Sequence, residues 1–345
     1  MNDRFLRACR LEPVDTTPVW FMRQAGRYMG EYRTLRQKHS LLDICNNPEL
    51  AVQVTLQPVD RLEIDAAILF SDLLLPFEPM GLPFDFVEGM GPRIEHPIRN
   101  AEDINRLRSF DPRDALGHVL ETIRLLRSEL AGRMPLIGFA GAPFTLASYA
   151  IEGGPSKQYA RTKALMYNEP HLWHQLCELL ASVITDYLKA QIEAGVQAVQ
   201  LFDSWVGTLT ARDYREFLLP HSQRILQEIM ALGVPVIHFG TGTSHLLADL
   251  RNAGGDVIGV DWRIPLDEAW DTIGHDYAVQ GNLDPTLLLG PVDRLLAGAS
   301  DVMERAAGRE GHIFNLGHGI LQSTPVEHVQ ALARHVHEHA RRSPI

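Results

Sequence analysis

Four short runs in the C-terminal third decide the fold: Val234–Phe239 (VPVIHF), Asp256–Val260 (DVIGV), Tyr277–Gln280 (YAVQ) and His312–Leu316 (HIFNL). Each is mostly apolar, rich in β-branched or aromatic residues and bounded by turn-forming residues, as suits a strand covered on both faces. Their centres, near 238, 260, 280 and 316, are 22, 20 and 36 residues apart. A strand plus its returning helix needs roughly 20–30 residues, so these are plain or slightly extended β-α units. Upstream, four more runs share the pattern: Val19–Met22 (VWFM), Ala66–Phe70 (AAILF), Leu136–Ala140 (LIGFA) and Ala198–Phe202 (AVQLF). Wider gaps there, of 49, 69 and 63 residues, imply insertions. Helical spacing is clear between the runs, above all in Pro170–Ala194, stopped by Gly195, and in Pro325–Arg342, with Thr324 as the expected N-cap. Eight parallel strands alternating with helices predict a (β/α)8 barrel with extended βα loops, one domain over residues 1–345; an open doubly wound sheet is the alternative.

Composition narrows the function. The chain has 345 residues, with 32 Lys and Arg against 43 Asp and Glu, a formal charge of −11. Nucleic acid and anionic membrane call for a positive surface, so neither is expected as a partner. Any anion must bind in a locally basic pocket. Cys9, Cys45 and Cys177 lie far apart, with no CxxC or Cys–His spacing, which argues against a disulfide framework and a zinc site. MNDRFLRACRLEP, residues 1–13, mixes charges and lacks the apolar core of a signal peptide; a cytoplasmic location is expected. No GxSxG or HExxH motif supports hydrolase chemistry.

Barrel chemistry sits where strands pass into βα loops. The polar residues there are Arg23, Gln24 and Arg27, then Ser71 and Asp72, Tyr149, Asp203 and Ser204, His238, Asp261, Asn282 and Asp284, and Asn315 and His318. Between Trp20 and Lys38 stand Arg23, Arg27, Arg33, Arg36 and Lys38 against Glu31 alone, a local charge of +4 in an acidic chain. Arginine forks grip carboxylates and phosphates through paired hydrogen bonds, so this loop reads as an anion site. Asp72 follows one apolar run and precedes another, and a carboxylate so placed needs a donor or a cation. A local turn cap and a ligand contact both suit it. Gly317 and Gly319 flank His318 and permit close approach of backbone or ligand.

Other signals are weaker. GTGTSH, residues 240–245, matches no phosphate-loop pattern. His328, His335 and His339 share a helical face, which reads as solvated. Five prolines and three glycines from Pro76 to Asn100 mark a long connection, with a hairpin around FVEGMGPRIEHPI and the position of a lid.

PVWFMRQAGRYMGEYR, LFSDLLLPFEPMG, GFAGAPFTLASYAIEGG, LFDSWVGTLTARDY, VQGNLDP and FNLGHGILQSTP together resemble the uroporphyrinogen decarboxylase family over roughly residues 3–340. The resemblance implies a cytosolic, cofactor-free homodimeric barrel. It would remove four acetate carboxyls from uroporphyrinogen III as CO2, giving coproporphyrinogen III. It also implies a substrate site of Arg23, Gln24, Ala25, Gly26, Arg27, Arg36, Asp72, Tyr149, Ser204 and His318, with Asp72, Arg23 and Arg27 in catalysis and no metal. Two other readings differ in their needs. A methyl-transferring barrel would hold zinc through a His/Cys set, and a tetrapyrrole carrier would need the arginines but not Asp72.

Overall fold

The computed structural model describes residues 2–87 and 89–340. Seven parallel strands form one curled sheet, neighbours in the sheet following chain order. They are β1 (Ala67–Ile68), β4 (Leu136–Gly141), β5 (Ala198–Asp203), β6 (Val236–Gly240), β7 (Val257–Gly259), β8 (Ala278–Leu283) and β9 (His312–Leu316). An antiparallel hairpin of β2 (Phe84–Val87) and β3 (Gly91–Ile94) rises between β1 and β4, where the sequence places one.

The eighth expected strand, Val19–Met22, makes a single parallel bridge, Val19 with Phe314. It still closes the ring. Pro18 O accepts from Phe314 N at 2.9 Å, Val19 O accepts from Asp65 N at 2.8 Å, and Met22 O accepts from Ile320 N at 2.9 Å. Asn315 Oδ1 accepts from Met22 N at 3.1 Å, a side chain standing in for a ladder carbonyl. The barrel prediction holds, with its first staves β1 and Val19–Met22 much reduced.

Alternate strand residues fill the barrel: Trp20, Met22, Ala66, Ile137, Ala198, Ile237, Phe239, Val257, Ala278 and Ile313. The same parity brings in Gln200 and Gln280, both essentially inaccessible. Trp20 Nε1 donates to Gln280 at 2.9 Å, and Gln280 Nε2 donates to Gln200 at 3.0 Å, which satisfies groups that would be costly if orphaned. Phe5, Leu6, Ala8 and Cys9 of the short helix Arg4–Cys9 join this cluster from the N-terminal end of the strands.

Around the barrel, the helix Pro170–Ala194 ends as its spacing predicts, at Gly195 in a left-handed conformation with φ +119°. The last helix, Val326–His339, departs from expectation at its start. Pro325 holds the N-cap position, no side chain caps it, and Thr324 Oγ1 is buried without a partner among the described residues. A proline keeps the residue before it out of the helical region, so Thr324 stays outside and the helix starts after Pro325.

Candidate active site

At the C-terminal ends of the strands lies a cavity of about 330 Å³. Arg23, Ala25, Asp72, Tyr149, Ser204 and His318 line it. Its floor and walls are aromatic: Phe70, Phe139, Phe202, Phe239 and Trp205, joined by Phe86 and Pro92 from the hairpin. Asp72 is the one acid among these lining residues.

The basic loop is built from its own side chains. Gln24 is fully buried; its Oε1 accepts from Phe21 N at 3.1 Å and its Nε2 donates to Ala66 O at 3.1 Å. Tyr28 Oη donates to Gln24 O at 2.7 Å, and Arg33 donates to Tyr28 O at 2.8 Å and Arg27 O at 3.0 Å. Gln24, Tyr28 and Arg33 therefore hold the loop's shape. Gly26 lies in its turn and does not line the cavity; a Cβ there would press on Arg23 O.

Arg23 takes the left-handed region at φ +60°, rare for a side chain of this size. Its side chain crosses Gly319, where any Cβ would collide with it, and a Cβ at Gly317 would collide with the backbone of Asp261 and Trp262. The two glycines of NLGHG are needed for close packing. Arg27 is exposed and Arg36 is half-buried at the end of the helix Gly30–Arg36, donating to His39 O at 2.7 Å; neither lines the cavity. Among the described residues, no carboxylate lies within ion-pairing distance of Arg23, Arg27 or Arg36.

Asp72 Oδ1 accepts from Leu74 N at 2.9 Å and so caps its own turn. The turn-cap reading holds, and the residue also lines the cavity, where a ligand could meet it. Burial pushes its carboxyl up to about 6, against the pull of the Leu74 amide and Arg23. Burial, together with the charge of Asp72, lifts the Tyr149 phenol to about 12, so it keeps its proton. Burial and the Arg23 charge lower His318 to about 4. Its neutral ring accepts from Gly319 N at Nδ1, at 2.7 Å, which leaves the proton on Nε2 as a donor. Trp262 packs edge-on against this ring, with centroids 6.3 Å apart.

Other strand-end residues serve the scaffold. His238 faces outward from β6, opposite in parity to Ile237 and Phe239, and is fully buried. Asn282 Nδ2 donates to Asp261 O at 2.9 Å and Ile264 O at 2.7 Å. Asp284 caps the turn after β8 through Thr286 N at 2.8 Å. Asp261 accepts from Arg263 and from Gly242 N, so the glycine-rich loop at 240–245 binds a carboxylate of its own chain. The aromatic lining escaped the reading of polar strand ends; inward strand parity marks Phe202 and Phe239.

Among the described residues, no three His, Cys, Asp or Glu side chains gather as a metal site. All three cysteines are buried, none on the cavity wall. No helix among these residues is long and apolar enough to cross a membrane.

A parallel α/β barrel whose mouth sets an arginine and a half-buried carboxylate in one aromatic cavity is the architecture of a small-molecule enzyme. The family model for uroporphyrinogen decarboxylase matches residues 1–339, and the chain belongs to that family. It is 60% identical to a uroporphyrinogen decarboxylase of Sorangium cellulosum over 343 residues, 99% of this chain and 98% of that one. It is 54% identical to one of Carboxydothermus hydrogenoformans, covering 98% and 97%. A methyltransferase from Methanosarcina mazei shares the fold, with TM-score 0.82 at 23% identity and 98% of both chains covered. That likeness concerns architecture.

Proposed function

We propose that the chain decarboxylates the four acetate side chains of uroporphyrinogen III to methyls, giving coproporphyrinogen III, as one catalytic domain. The observation that carries this reading is Asp72, a lone carboxylate on the wall of a cavity that otherwise offers donors and aromatic rings. A site for a substrate with eight carboxylates gains nothing from a further anion unless something positive faces it. Pyrrole N–H groups meet that condition at rest, and a protonated pyrrole meets it more strongly during reaction.

Loss of CO2 needs an electron sink, and the pyrrole supplies one, so no organic cofactor or metal is required. Protonation of a ring carbon beside the acetate-bearing carbon makes an iminium-like cation. The C–C bond pair then flows toward nitrogen and CO2 departs, leaving an exocyclic methylene. A proton added there and one lost from the ring restore the pyrrole, so one proton replaces each CO2. Ionised Asp72 opposes the cationic stage, where its charge counts most. Arg23 on the cavity wall, with Arg27 and Arg36 of the same basic stretch, engages carboxylates. Tyr149, Ser204 and the Nε2–H of His318 donate to acetates and propionates, beside Ala25. Gln24 and Gly26 serve the site through the loop's shape.

The protein works as a cytoplasmic homodimer in this reading, which sedimentation at micromolar concentration tests; a species of 38.6 kDa refutes it. Anaerobic incubation with uroporphyrinogen tests the activity. Products with seven down to four carboxyls, unchanged after dialysis against chelator, are expected. Binding without CO2 release would identify a carrier instead.

A further inference from the structure

Asp203, at the end of β5, has no place in the chemistry above. It is fully buried, and its parity turns it away from the barrel interior, toward the helix layer. There it meets the start of the helix Pro143–Glu152. Its N-cap residue is Ala142, which has no polar side chain to cap it. Asp203 Oδ1 accepts from Thr145 Oγ1 at 3.0 Å. Burial pushes its carboxyl up to about 7, against the pull of the Thr145 hydroxyl and amide. A side-chain oxygen from a neighbouring strand thus does the work of an N-cap.

Two links run from this contact to the cavity. Thr145 Oγ1 accepts from Trp205 N at 3.4 Å, which ties the turn carrying Ser204 to the same hydroxyl. Tyr149 stands one helical turn beyond Thr145, on the same face. Its ring meets Trp205 edge-on at 6.1 Å, and both line the cavity with Ser204. On the far side, Thr241 Oγ1 donates to Ser204 O.

We propose that Asp203 and Thr145 are positioning residues that set Tyr149 and Ser204 as one unit against the substrate's carboxylate-bearing side chains. The proposal rests on the decarboxylase reading, and its test separates the two. In Thr145→Val, an isosteric change, kcat falls about tenfold or more while Thr145→Ser restores it to within about twofold, the hydroxyl being the part that matters. In a Tyr149→Phe background, Thr145→Val costs less than about threefold further, because residues acting through one another are not additive. Partly decarboxylated products build up in Thr145→Val and in Asp203→Asn. Amide exchange at residues 203–206 and 143–149 also rises about tenfold in Thr145→Val, a readout independent of turnover. Unchanged exchange overturns the brace whatever the activity. Raised exchange with wild-type kcat, or full additivity with Tyr149→Phe, overturns the positioning role. A wild-type protein that releases no CO2 overturns the decarboxylase reading, and with it the positioning role.

Discussion

Asp65 and Asp72 stand on opposite ends of the same short stave and have opposite environments. Asp65, at the N-terminal end, is about 1% exposed and accepts from Asn2 Nδ2 at 2.7 Å, Arg4 at 2.7 Å, Val19 N at 2.7 Å and His337 Nε2 at 2.8 Å. Burial works against its ionisation, yet His337, the Val19 amide and Arg4 together hold the carboxyl below its usual range. Asp72, at the other end, has one backbone donor and rises to about 6. One carboxylate is saturated with partners and joins both ends of the chain to the barrel's weakest seam. The other is left short of partners, and that shortage is what a cationic substrate centre can fill.

The contrast breaks most directly at Asp72. Asp72→Asn keeps the size and one acceptor but loses the charge, so kcat drops about 10²–10³-fold, as for removal of one preorganised group worth about 3–4 kcal/mol. Its melting temperature stays level or rises at neutral pH. The sign follows from the raised carboxyl: relative stability is greatest below the unfolded value near 3.8 and is lost as pH climbs through about 6. A lower melting temperature with near-normal kcat would reduce Asp72 to a turn cap.

Asp65→Ala should show the reverse, a loss of about 3 kcal/mol of stability with kcat per folded molecule unchanged, since it strands several buried donors. The pH dependence is also reversed. The folded carboxyl is lowered, so its contribution is present above the unfolded value and disappears as pH falls through the lower folded one. Urea unfolding of wild type and variant between pH 3 and 7 checks this. A change in kcat without loss of stability would erase the distinction between the two ends.

Arg23→Ala comes next, with KM raised about 30-fold, about 2 kcal/mol for a carboxylate contact that bound substrate shields on the cavity wall. Arg27→Ala, exposed and off the cavity lining, has a smaller effect that fades as salt is added. Equal effects at all salt concentrations would mean that a place on the cavity wall does not set the two arginines apart. The smallest effect is in the wild-type pH profile: kcat declines as pH drops below about 6, where Asp72 takes up a proton. A flat profile between pH 5 and 7 would place the essential ionisation elsewhere.

Much of this site is legible in the sequence because its parts are local. Five basic residues within nineteen positions, an Asp between apolar runs and a His between glycines can all be seen without a fold. The division of labour inside RQAGRY is not local. Gln24 reaches Ala66, and Arg23 crosses Gly319, contacts made only once the barrel closes. The aromatic lining was hidden for another reason: Phe139, Phe202 and Phe239 read as ordinary core until the cavity's depth is known.

What the sequence by itself determined is periodic or compositional: buried strands at β-α spacing, helix stops such as Gly195, the hairpin and a basic loop in an acidic chain. These follow from backbone sterics and from partition between water and core, which act over a few residues. Tertiary structure alone decided that Val19–Met22 closes the ring with one bridge, and that Asp203 caps a helix begun 60 residues earlier. It also set Asp65 and Asp72 at opposite ends of their acid range. Desolvation and hydrogen-bond supply depend on what the fold brings near, and no run of neighbours in the chain contains that information.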